Sequence, residues 1–131
     1  MDTPDQIIKK AQAVLQTEIE GIEAIKQQLD NNFVELVAAC IKTLDNGGKI
    51  VITGVGKSGY IGRKISASLA STGSPSIFMH PVEAMHGDLG MLQENDLLLA
   101  LSYSGETAEL NSILLQETVN RMKIEIAKQR C

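Results

Sequence analysis

Tryptophan is absent from this chain, and phenylalanine and tyrosine contribute only two residues each. With so few rings and a formal net charge of -4, the sequence offers neither the basic stripe nor the stacking platform of a general nucleic-acid surface, so nucleic acid is not an expected partner. Cysteine is scarce too. Cys40 falls in a helical pattern and Cys131 at the very end, with no metal-ligand spacing between them, which points to a reducing compartment rather than a disulfide framework. Apolar runs such as Leu97 to Leu101 fall far short of a membrane span, and the opening MDTPDQIIKK has no apolar signal core. A soluble cytoplasmic protein with no membrane partner is therefore expected.

Repeats, low-complexity tracts and linker-like stretches are missing as well. What remains is 131 residues with 44% hydrophobic content, enough for one domain around one sizeable core. Ile7, Ile8, Ala11, Val14, Leu15, Ile19, Ile22 and Leu29 recur at helical intervals after Thr3-Pro4-Asp5-Gln6, which supplies a cap, a proline for the first helical position and a capping-box glutamine. A second helix is expected from about Asn32, with Asn32 and Glu35 at capping-box spacing and Gly47-Gly48 as its stop. These N-terminal helices span 4–46.

The α/β part is expected over 49–131, because the period changes at Lys49. Lys49 to Thr53 is a β-branched run bounded by glycines, as in a parallel strand buried on both faces. A helix from Ser58 to Thr72 stops at Gly73, Pro75 introduces the strand Ser76 to Met79, and a loop from His80 to Gln93 carries both histidines. Leu97 to Leu101 reads as a third strand, followed by a helix from about Glu106 whose period weakens beyond Gln116. Alternating strands and helices predict an α/β protein with a doubly wound parallel sheet and ligands outside the carboxyl ends of the strands.

Two turns at those ends carry the chemistry. In Gly54-Val55-Gly56-Lys57-Ser58-Gly59 the backbone can approach a ligand closely while unpaired helix amides face an anion. Walker A is excluded, since its first glycine would fall on Val51. The GxGxxG spacing of Gly54, Gly56 and Gly59 leaves a dinucleotide as a weaker alternative, for the second strand ends in Met79-His80 rather than in the acidic residue that would hold a ribose. A purely structural turn is another. Ser102-Tyr103-Ser104-Gly105-Glu106-Thr107 repeats the arrangement after the third strand, with Ser104 or Thr107 alone also readable as a simple cap.

Among titratable groups, Glu106 and Glu109 share one helical face, and either could transfer a proton if shielded or simply face water. Lys57 could steady a phosphate or a developing oxyanion, or be an exposed loop lysine. His80 and His86 could act as base, sugar hydrogen-bonder, metal ligand or structural histidine; their spacing is not that of a helical metal pair.

In their order and spacing, GVGKSGYIGRKISASLASTG, HPVEAMHGDLGM and LSYSGETAEL resemble the SIS (sugar isomerase) domain, and most closely the bacterial arabinose-5-phosphate isomerases, over about positions 1–115. The resemblance implies a Rossmann-type three-layer fold with a five-stranded sheet, oligomeric assembly, and interconversion of arabinose 5-phosphate and ribulose 5-phosphate, which feeds the lipopolysaccharide sugar Kdo. It implies catalytic roles for Lys57, Glu109 and His86 and substrate or phosphate contacts from Gly56, Ser58, Gly73, Ser74, His86, Ser102, Ser104, Gly105, Glu106 and Thr107. It makes His80 a candidate zinc position, although no cofactor is required.

From about Leu115 the stretch QETVNRMKIEIAKQRC departs from the family pattern. Three strands of the usual five are expected, without a later Glu and His used by the family and without its CBS module. This leaves two main readings: an isomerase-type site for a pentose 5-phosphate, or a non-catalytic sugar-phosphate-binding module. A structural remnant is the third and a dehydrogenase a distant fourth. The exposed sheet edge and apolar helices of a partial domain predict a homo-oligomer assembled through the N-terminal helices.

Overall fold

The computed structural model describes residues 1–104 and 108–114 and the backbone of 123–128. The chain divides into two compact units, Met1–Glu35 and Leu36–Cys131. In the first, helix α1 (Pro4–Gln28) opens on the expected capping box: the Gln6 amide donates to Thr3 Oγ1 at 3.3 Å, and the Thr3 amide donates to Gln6 Oε1 at 2.8 Å. None of its residues is buried; Ile7, Ile8, Val14, Leu15, Ile19, Ile22 and Ile25 are each 50% to 66% exposed. Helix α2 (Asn31–Asp45) begins one residue earlier than the Asn32–Glu35 spacing predicts, because Asp30 takes the capping role. Its carboxylate accepts from the Asn32 amide at 2.9 Å, and its carbonyl accepts from the Phe33 amide at 3.1 Å.

In the second unit, the last turns of α2 bury Ala39 and Thr43. Strand β1 (Ile50–Gly54) is buried along its whole length. Helix α3 (Gly56–Ser71) follows, then β2 (Ser76–Phe78), a short α4 (Pro81–Met85), a 3-10 turn at Asp88–Met91, β3 (Leu97–Ser102), α5 (Ala108–Leu114) and β4 (Lys123–Lys128). The stretch expected as loop is thus partly helical, with Pro81 at the first turn of α4 and His80 as its cap.

All pairings are parallel in the order β2-β1-β3-β4. The three expected strands are present, and β4 lies against β3 as a fourth. Its Lys-Ile-Glu-Ile alternation is a period-2 signal that the fading helical period before it conceals in the sequence. The α/β fold is therefore of the expected doubly wound class. Ile52 and Phe78 are in register and both approach Gly62 of α3. Val51 and Leu98 join Met79, Ala84, Leu92 and Ile113 in a core under α4 and α5 on the opposite face. Among the described residues no helix is long and apolar enough to cross a membrane.

The amino ends of the strands are tied by Asp96, which is 2% exposed. Its carboxylate accepts from the amides of Lys49 and Gln93, each at 2.9 Å, and pairs with the Lys49 ammonium, which also donates to the Met91 carbonyl at 2.9 Å. A carboxylate with this many donors repays its desolvation, whereas its removal strands them. Asp96→Ala should therefore lower stability by about 3 kcal/mol, read as a fall in the guanidinium midpoint, with Asp96→Asn intermediate. A change below about 0.5 kcal/mol, typical of an ordinary surface substitution, would show that the clamp does not hold the sheet.

Candidate functional site

The chain enters β2 on one side of β1 and β3 on the other, so the carboxyl ends of β1 and β3 form a topological switch point, where α/β sheets leave a crevice. One wall is the β1–α3 turn. A Cβ on Gly54 would lie 3.1 Å from the Leu101 carbonyl oxygen, and one on Gly59 would lie 2.8 Å from the Gly54 carbonyl oxygen, so these glycines set how closely helix and strands approach. Gly56 differs: it has φ +59° and open space around its Cβ position. Val55 caps α3 without a side-chain hydrogen bond, so no side-chain cap claims the amides of the first turn. Gly56 and Lys57 are exposed and Ser58 is half-buried.

The second wall follows β3. Ser102 is buried at the strand end, and Tyr103 and Ser104 are exposed. Gly105, Glu106 and Thr107 lie outside the described residues, as does Cys131. Glu109 is exposed in the first turn of α5. Helix α4 packs against α5, and His86 ends α4 as an exposed C-cap whose amide donates to the Glu83 carbonyl at 2.9 Å. Lys57, His86 and Glu109 thus belong to elements that start beyond the carboxyl ends of β1, β2 and β3. Thr53, the residue before the glycine turn, is 1% exposed, and its hydroxyl finds no hydrogen-bond partner.

Gly73 and Ser74 do not join this group. Helix α3 carries the chain about 24 Å back along the sheet, at roughly 1.5 Å for each of its 16 residues, and leaves them beyond its far end. There they stop the helix. The Gly73 amide donates to the Ala70 carbonyl at 3.3 Å and the Ser74 amide to the Leu69 carbonyl at 2.9 Å, with Gly73 at φ +90°, the pattern of a Schellman motif. Within one chain they sit at the opposite end from Gly56 and Lys57.

His80 is half-buried, and its Nδ1 accepts from the Val82 amide at 3.2 Å. A zinc site needs three or four such donors, and among the described residues no group of three His, Cys, Asp or Glu is placed to hold a metal. The residues present do not fit zinc. His80 instead lines a cavity of about 340 Å³ with Gly56, Gly59, Tyr60, Arg63 and Phe78. The sequence reading did not single out Tyr60, Arg63 or Phe78. The spacing of Gly56, Tyr60 and Arg63 along one helical stripe was the available signal.

Residues 43–127 match the SIS domain family. The chain is 45% identical over 107 residues to the arabinose 5-phosphate isomerase KdsD of Pseudomonas aeruginosa, covering 82% of this chain and 32% of that protein. It therefore spans about a third of the length of the curated relatives it matches. A putative phosphosugar isomerase from Bacteroides fragilis superposes with a TM-score of 0.87 at 36% identity, over 95% of this chain and 65% of that one. An E. coli CFT073 protein in complex with arabinose 5-phosphate superposes with a TM-score of 0.82 at 35% identity, over 97% of this chain and 65% of that one.

The two kinds of glycine in the β1–α3 turn should respond differently to a methyl group. Gly56→Ala meets open space but holds an L-residue at positive φ, which costs about 1–2 kcal/mol. Gly59→Ala forces the Gly54 backbone aside, so the strain of about 1–3 kcal/mol outweighs the gain in helix propensity. Thermal unfolding of both variants checks this; equal stability of Gly59→Ala and the parent would show that helix and strand are not in contact.

Proposed function

Since the chain belongs to the SIS domain family, we propose that it binds a pentose 5-phosphate, D-arabinose 5-phosphate foremost, across the carboxyl ends of β1 and β3 and takes part in its isomerisation to D-ribulose 5-phosphate. The observation that carries this reading is the uncapped, outward-facing start of α3 at Gly56 beside the Ser102–Ser104 turn of the neighbouring strand. Exposed amides and hydroxyls on adjacent strand ends suit a phosphate and a polyhydroxyl chain.

The reaction moves one proton. A base takes it from carbon 2 of the open-chain aldose, the electron pair forms a cis-enediolate, and the proton returns at carbon 1 as the carbonyl passes to carbon 2. In this proposal Glu109 or His86 is the base and Lys57 stabilises the enediolate oxygen. Gly56 and Ser58, with Ser102, Ser104 and the Gly105-Glu106-Thr107 segment, hold the substrate. The setting would be the cytoplasm, and the product's use the supply of Kdo. Because Lys57, His86 and Glu109 are all exposed to water, a second reading stands beside it: a module that binds the sugar phosphate without turning it over.

Proton NMR of arabinose 5-phosphate in deuterated buffer separates the two. Loss of the carbon-2 proton signal with growth of ribulose 5-phosphate is expected. Glu109→Gln should slow it by about 10²–10⁴-fold if Glu109 is the base, and Lys57→Met by about 10²–10³-fold. Line broadening without exchange would leave the binding module, and a folded sample without either effect would sink the ligand assignment.

The apolar stripe of α1 also supports self-association through the N-terminal helices. Sedimentation velocity at micromolar concentration should show an assembly that Leu15→Glu with Ile22→Glu dissociates. A monomeric parent chain would remove this part of the proposal.

A further inference from the structure

The cavity beside α3 has chemistry that the sugar-phosphate reading does not use. Its walls are one stripe of α3, carrying Gly56, Gly59, Tyr60 and Arg63, and the end of the outer strand β2, carrying Phe78 and His80. Phe78 lies on the α3 face of the sheet, since a Cβ on Gly62 would meet its ring at 3.1 Å. The Arg63 guanidinium carbon stands 4.4 Å from the centre of that ring, so cation–π attraction holds the fork in place. Among the described residues no carboxylate pairs with Arg63, and the cavity wall contains no acidic residue.

His80 adds a directed donor. Its Nδ1 accepts from the Val82 amide, so the neutral ring carries its proton on Nε2. The polar side chains of the wall are a fixed guanidinium, an imidazole N–H and a phenol, against the two aromatic faces of Tyr60 and Phe78. The cavities of about 350 and 240 Å³ at the other end of the sheet are lined by Asp96, with Glu94 in the smaller. They lack this bias toward an anion. At about 340 Å³, the cleft has the size of a small-molecule pocket.

We propose that this cleft is a second anion site, separate from the switch-point crevice, which takes a small phosphate monoester. Arg63 pairs with the phosphate, His80 Nε2–H donates to it, and Tyr60 and Phe78 receive the ester's apolar body. A bidentate guanidinium contact suits a phosphate better than a point charge does. The site does not depend on whether the chain turns over a sugar.

The test is a titration of the full chain with inorganic phosphate and with phenyl phosphate, followed residue by residue in proton–nitrogen and proton–carbon NMR correlation spectra. Both probes should shift Tyr60, the Arg63 side chain and the His80 ring, phenyl phosphate at lower concentration. Arg63→Gln should weaken binding there by about tenfold or more, leaving shifts at Ser104 in place, and Arg63→Lys should restore part of the loss. Arg63 is exposed, so neither variant endangers the fold. Absence of shifts at these three residues, or shifts that Arg63→Gln leaves unchanged, would overturn the proposal. So would arabinose 5-phosphate moving His80 and Ser104 with one common dissociation constant, which would merge the cleft with the substrate crevice. Failure of the isomerisation assay alone would leave these shifts untouched.

Discussion

Helix α3 lies so close to β1 that carbonyl oxygens and a side-chain methyl occupy the space where Cβ atoms would otherwise be. Gly54, Gly59 and Gly62 make that possible, at Cβ positions 2.8 to 3.1 Å from the Leu101 and Gly54 carbonyls and from Ile52. The helix axis is thereby fixed against the strand, and with it the direction in which the first-turn amides point. Gly56, at positive φ and without a contact at its Cβ position, keeps the opening of that turn clear. A helix start that faces solvent with no side-chain cap is ordinarily a small loss of stability. Here it is the feature on which the switch-point crevice depends.

The two ends of the sheet are chemically opposite. At the amino ends, a buried carboxylate meets amides and an ammonium at hydrogen-bonding distance, and the strands are locked. At the carboxyl ends, donors outnumber acceptors: the α3 amides, Lys57, Arg63 and the hydroxyls after β3. The buried Thr53 hydroxyl has no hydrogen-bond partner at this end. Such an arrangement concentrates rigidity at one end and leaves unmet polar capacity at the other, where a ligand gains most from preorganised donors.

Much of this was legible in the sequence because the hydrophobic period changes sharply at Lys49 and glycine marks each strand-to-helix turn. The β1–α3 turn, β2, β3 and the capping box at Thr3 all follow from local chemistry that tertiary packing does not override. Strand β4 was hidden because Lys123–Lys128 is short and follows a stretch with no clear period. Helix α4 was hidden because five residues cannot show a period, although His80-Pro81 is a cap-and-proline start. Gly73 and Ser74 read correctly as a helix stop; a place in the same crevice as Gly56 does not follow, since one helix length separates them. Arg63 and Phe78 are brought together by the fold across 15 positions of sequence, which no local pattern reveals.

The exposed stripe of α1 connects the fold to its proposed mode of action. Each Ile, Leu or Val that passes from water into a packed interface contributes about 1.5–3 kcal/mol, and seven such side chains on α1 are half exposed or more. Even after the loss of translational and side-chain freedom, roughly 4–15 kcal/mol, that area is enough to favour assembly. Proton transfer makes a second demand of the same kind, because a base in open water gains little from its neighbours. Lys57, His86 and Glu109 are exposed, so isomerisation requires something to exclude water around them, whereas binding of a phosphate at a helix start does not. Ligand recognition is therefore within the reach of the groups this chain places at its strand ends, and turnover is the step that depends on further cover.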